Sequence, residues 1–157
     1  MTRPLSLAHD RRGAALAEAA IVLPVLILVF AGLFSLGAMF FNSQVVETAA
    51  RDGARYLART DDPVAQEAAA RNVVVFGNTA GAGTARVRGL TAANVAVSYR
   101  TIANPVTGTG ERTYRGADPV RLVRVDVNWQ ASGGMWAILG QPVITYRAGN
   151  EQRVIGD

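Results

Sequence analysis

Few residues of this chain carry groups able to do chemistry. Among its 157 residues there is one histidine, His9, and no cysteine. His9 lies in the short stretch ahead of the apolar run that a leader cut would remove. Without it and without cysteine, no Ser–His or Cys–His pair, His-ligated metal site, thiolate ligand or disulfide can be built. Asp61 and Asp62 are adjacent carboxylates, a pattern that could hold a metal or share a proton, but Pro63 follows them. Asp then Pro is the ordinary opening of a helix, where the carboxylate caps free N–H groups. We expect no catalytic, metal or cofactor-binding residue, and not an enzyme. The remaining candidate is Arg11-Arg12-Gly13-Ala14-Ala15-Leu16-Ala17-Glu18, where the chemistry would be done to the chain rather than by it. A cut after Gly13 would make Ala14 a free amine and Glu18 the fifth residue of the product. An ammonium and a carboxylate four residues apart can neutralise each other or bind a neighbour's opposite charge. Pairing has a physical reason, because an unpaired charge at the bilayer centre costs ~2.5–3.5 kcal/mol on insertion scales. The simpler alternative makes Glu18 a first-turn acid, favoured by the helix dipole and wetted at the interface.

The element that must position these residues is the apolar run behind them. No residue from Ala19 through Val46 carries a charge, and Ala20 to Phe41 reads AIVLPVLILVFAGLFSLGAMFF. About 20 apolar residues cross a bilayer as a helix, and in hydrocarbon an isolated span has to be helical. The run exceeds a signal-peptide h-region of roughly 7–15 residues. Pro24 is expected within about two turns of the helix start, where a proline disturbs few upstream carbonyls. Within the span, Ala31, Gly32, Ser35, Gly37 and Ala38 are small enough to let a neighbouring helix approach; alternatively they reflect loose packing against lipid.

Beyond Phe41 the helical period persists. Val45, Val46, Ala49, Ala50, Gly53, Ala54 and Leu57 form a stripe of mostly small apolar residues, and Glu47 precedes Arg51 by four, the favourable order for a helix pair. One helix from about Ala15 to Arg59 would run ~65 Å. Asp62 should cap a second helix with Pro63 at its first position, its stripe being Ala65, Ala68, Ala69, Asn72, Val73 and Phe76, with Gly77 as terminator. Gly77 to Gly89 reads as loop; Gly81-Ala82-Gly83 lacks the rest of a phosphate loop. Period-two alternation marks strands at Val95, Val97, Tyr99 and at Val123, Val125, Val127, Trp129, with a last strand Val143–Arg147 and a polar tail. Three strands need a cover, and the amphipathic half of the long helix is the natural one. The expected fold is α+β: a long N-terminal transmembrane and amphipathic helix and a second short helix packed on a small antiparallel sheet. The expected organisation is a leader over 1–13, the long helix over 14–60 with its span at about 19–41, and an α+β domain over 61–157.

The net charge of +4 and pI near 10.3 invite a nucleic-acid reading, which the pattern rejects. Every basic residue is arginine, and they are scattered from Arg51 to Arg153 without a run. Loss of Arg3, Asp10, Arg11, Arg12 and His9 with a leader would lower the positive charge, leaving weak attraction to anionic lipid. Counting arginines near the span gives Arg3, Arg11 and Arg12 before it and Arg51, Arg55 and Arg59 after it. That is nearly a tie under the positive-inside rule, broken by the closeness of Arg11 and Arg12 to the apolar block.

Arg12-Gly13-Ala14-Ala15-Leu16-Ala17-Glu18, then Leu23-Pro24, Gly37, and Ala49-Ala50-Arg51-Asp52-Gly53-Ala54-Arg55-Tyr56 together resemble the TadE-like family, the pseudopilins of tight-adherence (Tad, Flp-type) pilus machinery. Ala19 and Ala38 depart from the aromatic and basic residues usual there. The resemblance implies a pilin-like fold. It implies that Gly13 precedes a prepilin-peptidase cut, that Ala14 is the mature N-terminus and that Glu18 is the fifth-position glutamate. It implies a single-pass protein of a bacterial inner membrane, N-terminus cytoplasmic and C-terminal domain periplasmic, or present in the extracellular pilus. The partners it implies are the prepilin peptidase, other pilins or pseudopilins, inner-membrane Tad assembly proteins and membrane lipid, with no nucleic acid and no cofactor. The role it implies is assembly of Tad pili, surface adhesion and biofilm formation. A related secretion pseudopilin would share the mechanism. The alternative from another class is an unprocessed single-span anchor whose outer domain binds a ligand or partner, which exposed Trp129 and Trp136 would favour.

Overall fold

The structure, a computed structural model, describes residues 11–115, 119–132, 140 and 143–155. The early leader with His9, and the apolar piece 135–139 with Trp136, lie outside the described residues. Helix α1 spans Arg11–Ala58 and helix α2 Glu67–Phe76; strand β1 is Val95–Ile102, β2 is Val120–Ser132 and β3 is Val143–Arg153. The chain divides into two units, residues 1–38 and 39–157.

In the first unit α1 exists by virtue of backbone bonding alone. Its large apolar side chains are exposed: Leu28 is 57% and Phe34 77% exposed. The helix continues through Pro24. Because α1 begins at Arg11, Pro24 is more than three turns inside it, further than its tolerance near a helix start would require. The ring removes one hydrogen bond toward Ala20, a loss transmembrane helices accommodate.

The second unit is the α+β body. Its sheet is fully antiparallel with order β1-β2-β3, so the longest apolar alternation lies in the centre. Val95 pairs with Val127 and Val97 with Val125 on one side of β2. Val127 pairs with Ala148 and Trp129 with Tyr146 on the other. Val123, Val125, Val127 and Trp129 are at most 3% exposed. They form one core with Val46, Ala49, Ala50, Ala54 and Leu57 of α1 and with Ala70, Val74 and Val75 of α2. The stripe read from the sequence of α1 is therefore the buried face, with Val45 at its margin.

Four local expectations are corrected. The buried face of α2 is Ala70, Val74 and Val75, whereas Ala65 and Ala68 are exposed. The runs Ala68-Ala69-Ala70 and Val73-Val74-Val75 leave the phase of the helix open, and packing against α1 sets it. Asp62 does cap, but it caps a turn: its Oδ1 accepts from the N–H groups of Val64 and Ala65, both at 3.1 Å. Regular helix begins only at Glu67. Gly77 ends α2 in the left-handed region at φ 78°, as its type suggests. The polar tail after Arg147 continues β3 to Arg153, pairing Gln152 with Val123 and Arg153 with Leu122. An edge strand with one face in solvent keeps its pairing with polar residues. Finally, Glu47 and Arg51 form no ion pair; the salt bridge at this turn joins Asp52 to Arg86 at 2.8 Å.

Candidate functional site

Gly13, Ala14 and Glu18 lie in the first two turns of α1 and are all exposed. Ala14 and Glu18 are one turn apart and so sit on nearly the same side of the helix. A Cβ placed on Gly13 would meet nothing within 4 Å, so packing does not explain that glycine. A glycine inside a helix weakens it by roughly 1 kcal/mol relative to alanine, which makes local opening of this turn cheap. Chemically the arrangement offers an accessible, easily unwound backbone followed by a carboxylate with no ion pair or hydrogen bond among the described residues.

Further along, Ala31, Ser35 and Ala38 repeat at steps of four and three and share one side of the helix, with Gly32 beside them. Gly37 falls about 240° round from Ala31 at 100° per residue, so the structure does not bring it together with the other four. Neither Gly32 nor Gly37 has any atom within 4 Å of an added Cβ. Ser35 Oγ donates to the Ala31 carbonyl at 2.8 Å and Ser43 Oγ to that of Phe40 at 2.8 Å. Both hydroxyls are thus satisfied within the helix, as an apolar surrounding requires. The helix from Gly13 to Ala58 is long and apolar enough to cross a membrane, and none of its apolar window is buried within the chain.

The block from Ala49 to Tyr56 behaves differently. Ala49, Ala50 and Ala54 are at most 1% exposed. A Cβ on Gly53 would lie 2.5 Å from Val74 Cγ2 and 3.6 Å from Val125 Cγ1. Asp52 Oδ2 accepts from Arg86 Nη1 at 2.8 Å, and Tyr56 donates its hydroxyl proton to Gln66 Oε1 at 3.0 Å. The block locks α1 to α2, to β2 and to the following loop. Sequence reasoning placed Ala49, Ala50, Gly53 and Ala54 on the packing stripe but missed the Asp52 and Tyr56 contacts and the close approach at Gly53; the available signal was a glycine in mid-helix, which demands a reason.

Residues 13–55 match the model of the TadE-like protein family. This segment of the chain is similar to TadE-like proteins. The match begins at Gly13 and ends at Arg55, so it takes in the candidate processing residues, the small-residue side and most of the locking block. It stops short of α2 and of the sheet, which belong to the remaining length of the chain. No curated protein and no solved structure matches the chain. The TadE-like segment thus combines the length and composition of a single-pass membrane anchor with the elements that hold the body together.

Trp129, considered above as part of an exposed aromatic site, is buried. Its Nε1 donates to the Arg88 carbonyl at 3.1 Å and its ring lies 5.2 Å from that of Tyr146 at 30°. Trp136 is outside the described residues. Among the described residues no group of three or more His, Asp or Glu side chains is placed to hold a metal ion.

Proposed function

We propose that the chain is a minor pilin or pseudopilin of a Tad-type pilus, clipped between Gly13 and Ala14 by a prepilin peptidase and held by α1 in the bacterial inner membrane. The observation that carries this reading is the coincidence of three things at the start of α1. The TadE-like match begins at Gly13, Gly13 has no packing role, and Glu18 stands exposed about two turns into α1, immediately before the uncharged run from Ala19 to Val46.

After the cut, the Ala14 ammonium and the Glu18 carboxylate form a charge pair at the tip of the helix. A second copy or another pilin presents the same pair. Matching ammonium to carboxylate between neighbours removes the cost of carrying either charge into hydrocarbon. The side formed by Ala31, Gly32, Ser35 and Ala38 then lets the helices approach. Gly37 faces elsewhere and serves a different neighbour or lipid. In this reading the leader is cytoplasmic, the body is periplasmic or carried out on the pilus, and the protein supports pilus assembly, adhesion and biofilm formation together with inner-membrane Tad assembly proteins. Burial of Trp129 takes away one of the two aromatic residues whose exposure would have favoured an unprocessed binding module.

The test exploits composition. The chain has no lysine, so an amine-reactive tag marks only the α-amine. Mass spectrometry of tagged protein from membranes should find the label on a peptide beginning at Ala14, and Gly13→Leu should move it to the original N-terminus. An intact N-terminus in the unaltered protein overturns the processing step.

A further inference from the structure

We propose that the solvent face of the three-stranded sheet binds a carboxylate-bearing polysaccharide. The core takes Val95, Val97, Val123, Val125, Val127 and Trp129 from one face of the sheet. By alternation the other face carries Arg100 on β1, Leu122, Arg124 and Asp126 on β2, and Arg147, Gly149, Glu151 and Arg153 on β3. Register places Arg100, Leu122 and Arg153 in one row and Ser98, Arg124 and Glu151 in the next. A groove of ≈ 670 Å³ runs over them, lined by Ser98, Arg100, Leu122, Arg124 and Glu151 with Tyr99.

This face is arranged, beyond being charged. Arg124 Nε donates to both oxygens of Asp126, at 3.0 and 2.8 Å. A Cβ at position 149 would collide with Asp126 Oδ1 and would lie 2.8 Å from Arg124 Nη2. Gly149 therefore makes the room in which that pair lies across β3. With Nε held, both Nη atoms of Arg124 stay open to an incoming anion. Arg100 reaches across the sheet to Glu151 at 3.0 Å through one Nη only, and Arg147 and Arg153 have no ion pair among the described residues. Four guanidinium groups face two carboxylates, so the face carries a net positive charge that its own acids do not cancel.

The chemistry of the occupant follows from what the face has and lacks. Guanidinium forks match planar carboxylates in a bidentate geometry. Apart from half-buried Leu122 and the ring of Tyr99, the described lining of the groove is polar or charged, unlike the clustered apolar anchors that dominate protein–protein contacts. Among the described residues Tyr99 is the one aromatic at the groove, and its hydroxyl is tied to the Pro63 carbonyl, whereas single-stranded nucleic acid requires a succession of rings to stack its bases. A hydrated polyanion with repeated carboxylates, a uronate polymer, is the partner that fits. This inference is independent of whether the chain is cut at Gly13.

Full-length protein in detergent micelles should bind polygalacturonate and not neutral dextran. Arg100→Gln with Arg124→Gln should weaken that binding by about tenfold or more, the scale of losing charge-assisted hydrogen bonds. Arg55→Gln with Arg88→Gln, the same charge loss at exposed sites off the sheet face, should change it less than about twofold. Equal weakening in both double variants, no binding of polygalacturonate by the unaltered protein, or tighter binding of single-stranded DNA with the same dependence on Arg100 and Arg124 would each overturn the proposal.

Discussion

Val74 occupies the space that a side chain at position 53 would need: its Cγ2 stands 2.5 Å from an ideal Cβ on Gly53. The same missing side chain brings Val125 of β2 to 3.6 Å. Gly53 is therefore a point where α1, α2 and the central strand meet. Gly53→Ala should cost about 1–3 kcal/mol, the usual range for forcing an extra methyl into a packed core. Thermal unfolding of the detergent-solubilised protein reads that loss. Adding Val74→Ala to Gly53→Ala should recover part of it; a single variant as stable as the parent would contradict the close contact.

The Asp52–Arg86 bridge is only partly covered, with side chains 37% and 24% exposed. Asp52→Asn or Arg86→Gln should each lower stability by about 1 kcal/mol, at the upper end for accessible ion pairs. Arg86 is also tied through its backbone N–H to the Val75 carbonyl at 2.8 Å, so the loop should stay in place. The double variant should cost about as much as either single one, and a double-mutant cycle in denaturant checks this coupling.

Tyr99 gives a pH signature. Burial first, and then the neighbouring Glu67 carboxylate, push its phenol up from 10.0 to about 12. Its hydroxyl donates to the Pro63 carbonyl at 3.1 Å. Since the folded value lies above the unfolded one, the folded state favours the protonated phenol. Its contribution to stability is complete below about pH 10 and is lost as pH rises toward about 12. Phenolate absorbance should show a late-titrating tyrosine that Tyr99→Phe removes, and the same variant should flatten the alkaline fall in stability.

The membrane helix offers a directional test. The chain contains no cysteine, so a single introduced thiol is unambiguous. Ser35→Cys should give a disulfide-linked dimer in membranes on mild oxidation. Gly37→Cys, which lies on another side of the helix, should give several-fold less. Equal yields at both positions would mean that the side containing Ala31 and Ala38 is not the one used between helices.

Legibility in the sequence followed the strength of periodicity. The alternation Val123, Val125, Val127, Trp129 located β2 and its buried face without help, because a central strand has a core on one side and solvent on the other. The stripe from Val46 to Leu57 was equally plain. Alpha-2 was found but its phase was not, since three alanines and three valines in succession present an apolar surface in every direction. Half of β3 went unseen because Asn150, Glu151, Gln152 and Arg153 look like a tail, and only pairing with β2 makes them strand. At the candidate processing site the residue types were legible, but the reason Gly13 is free and Gly53 is not lay wholly in packing. One glycine touches nothing, the other touches two valines, and the letters are the same.

The close of α1 depends on a residue far along the chain. Carbonyl groups in the last turn of a helix have no partner in the helix itself, and the carbonyl of Ala58 accepts the N–H of Ile155 at 2.7 Å. Val154, beside it, donates to the Arg121 carbonyl at 2.8 Å and belongs to the core. A helix that is among the first elements made thus waits for the last strand before its final turn is completed. Until β3 is in place the Ala58 carbonyl lacks this partner, and the slow step of folding should be this long-range closure rather than the formation of either helix.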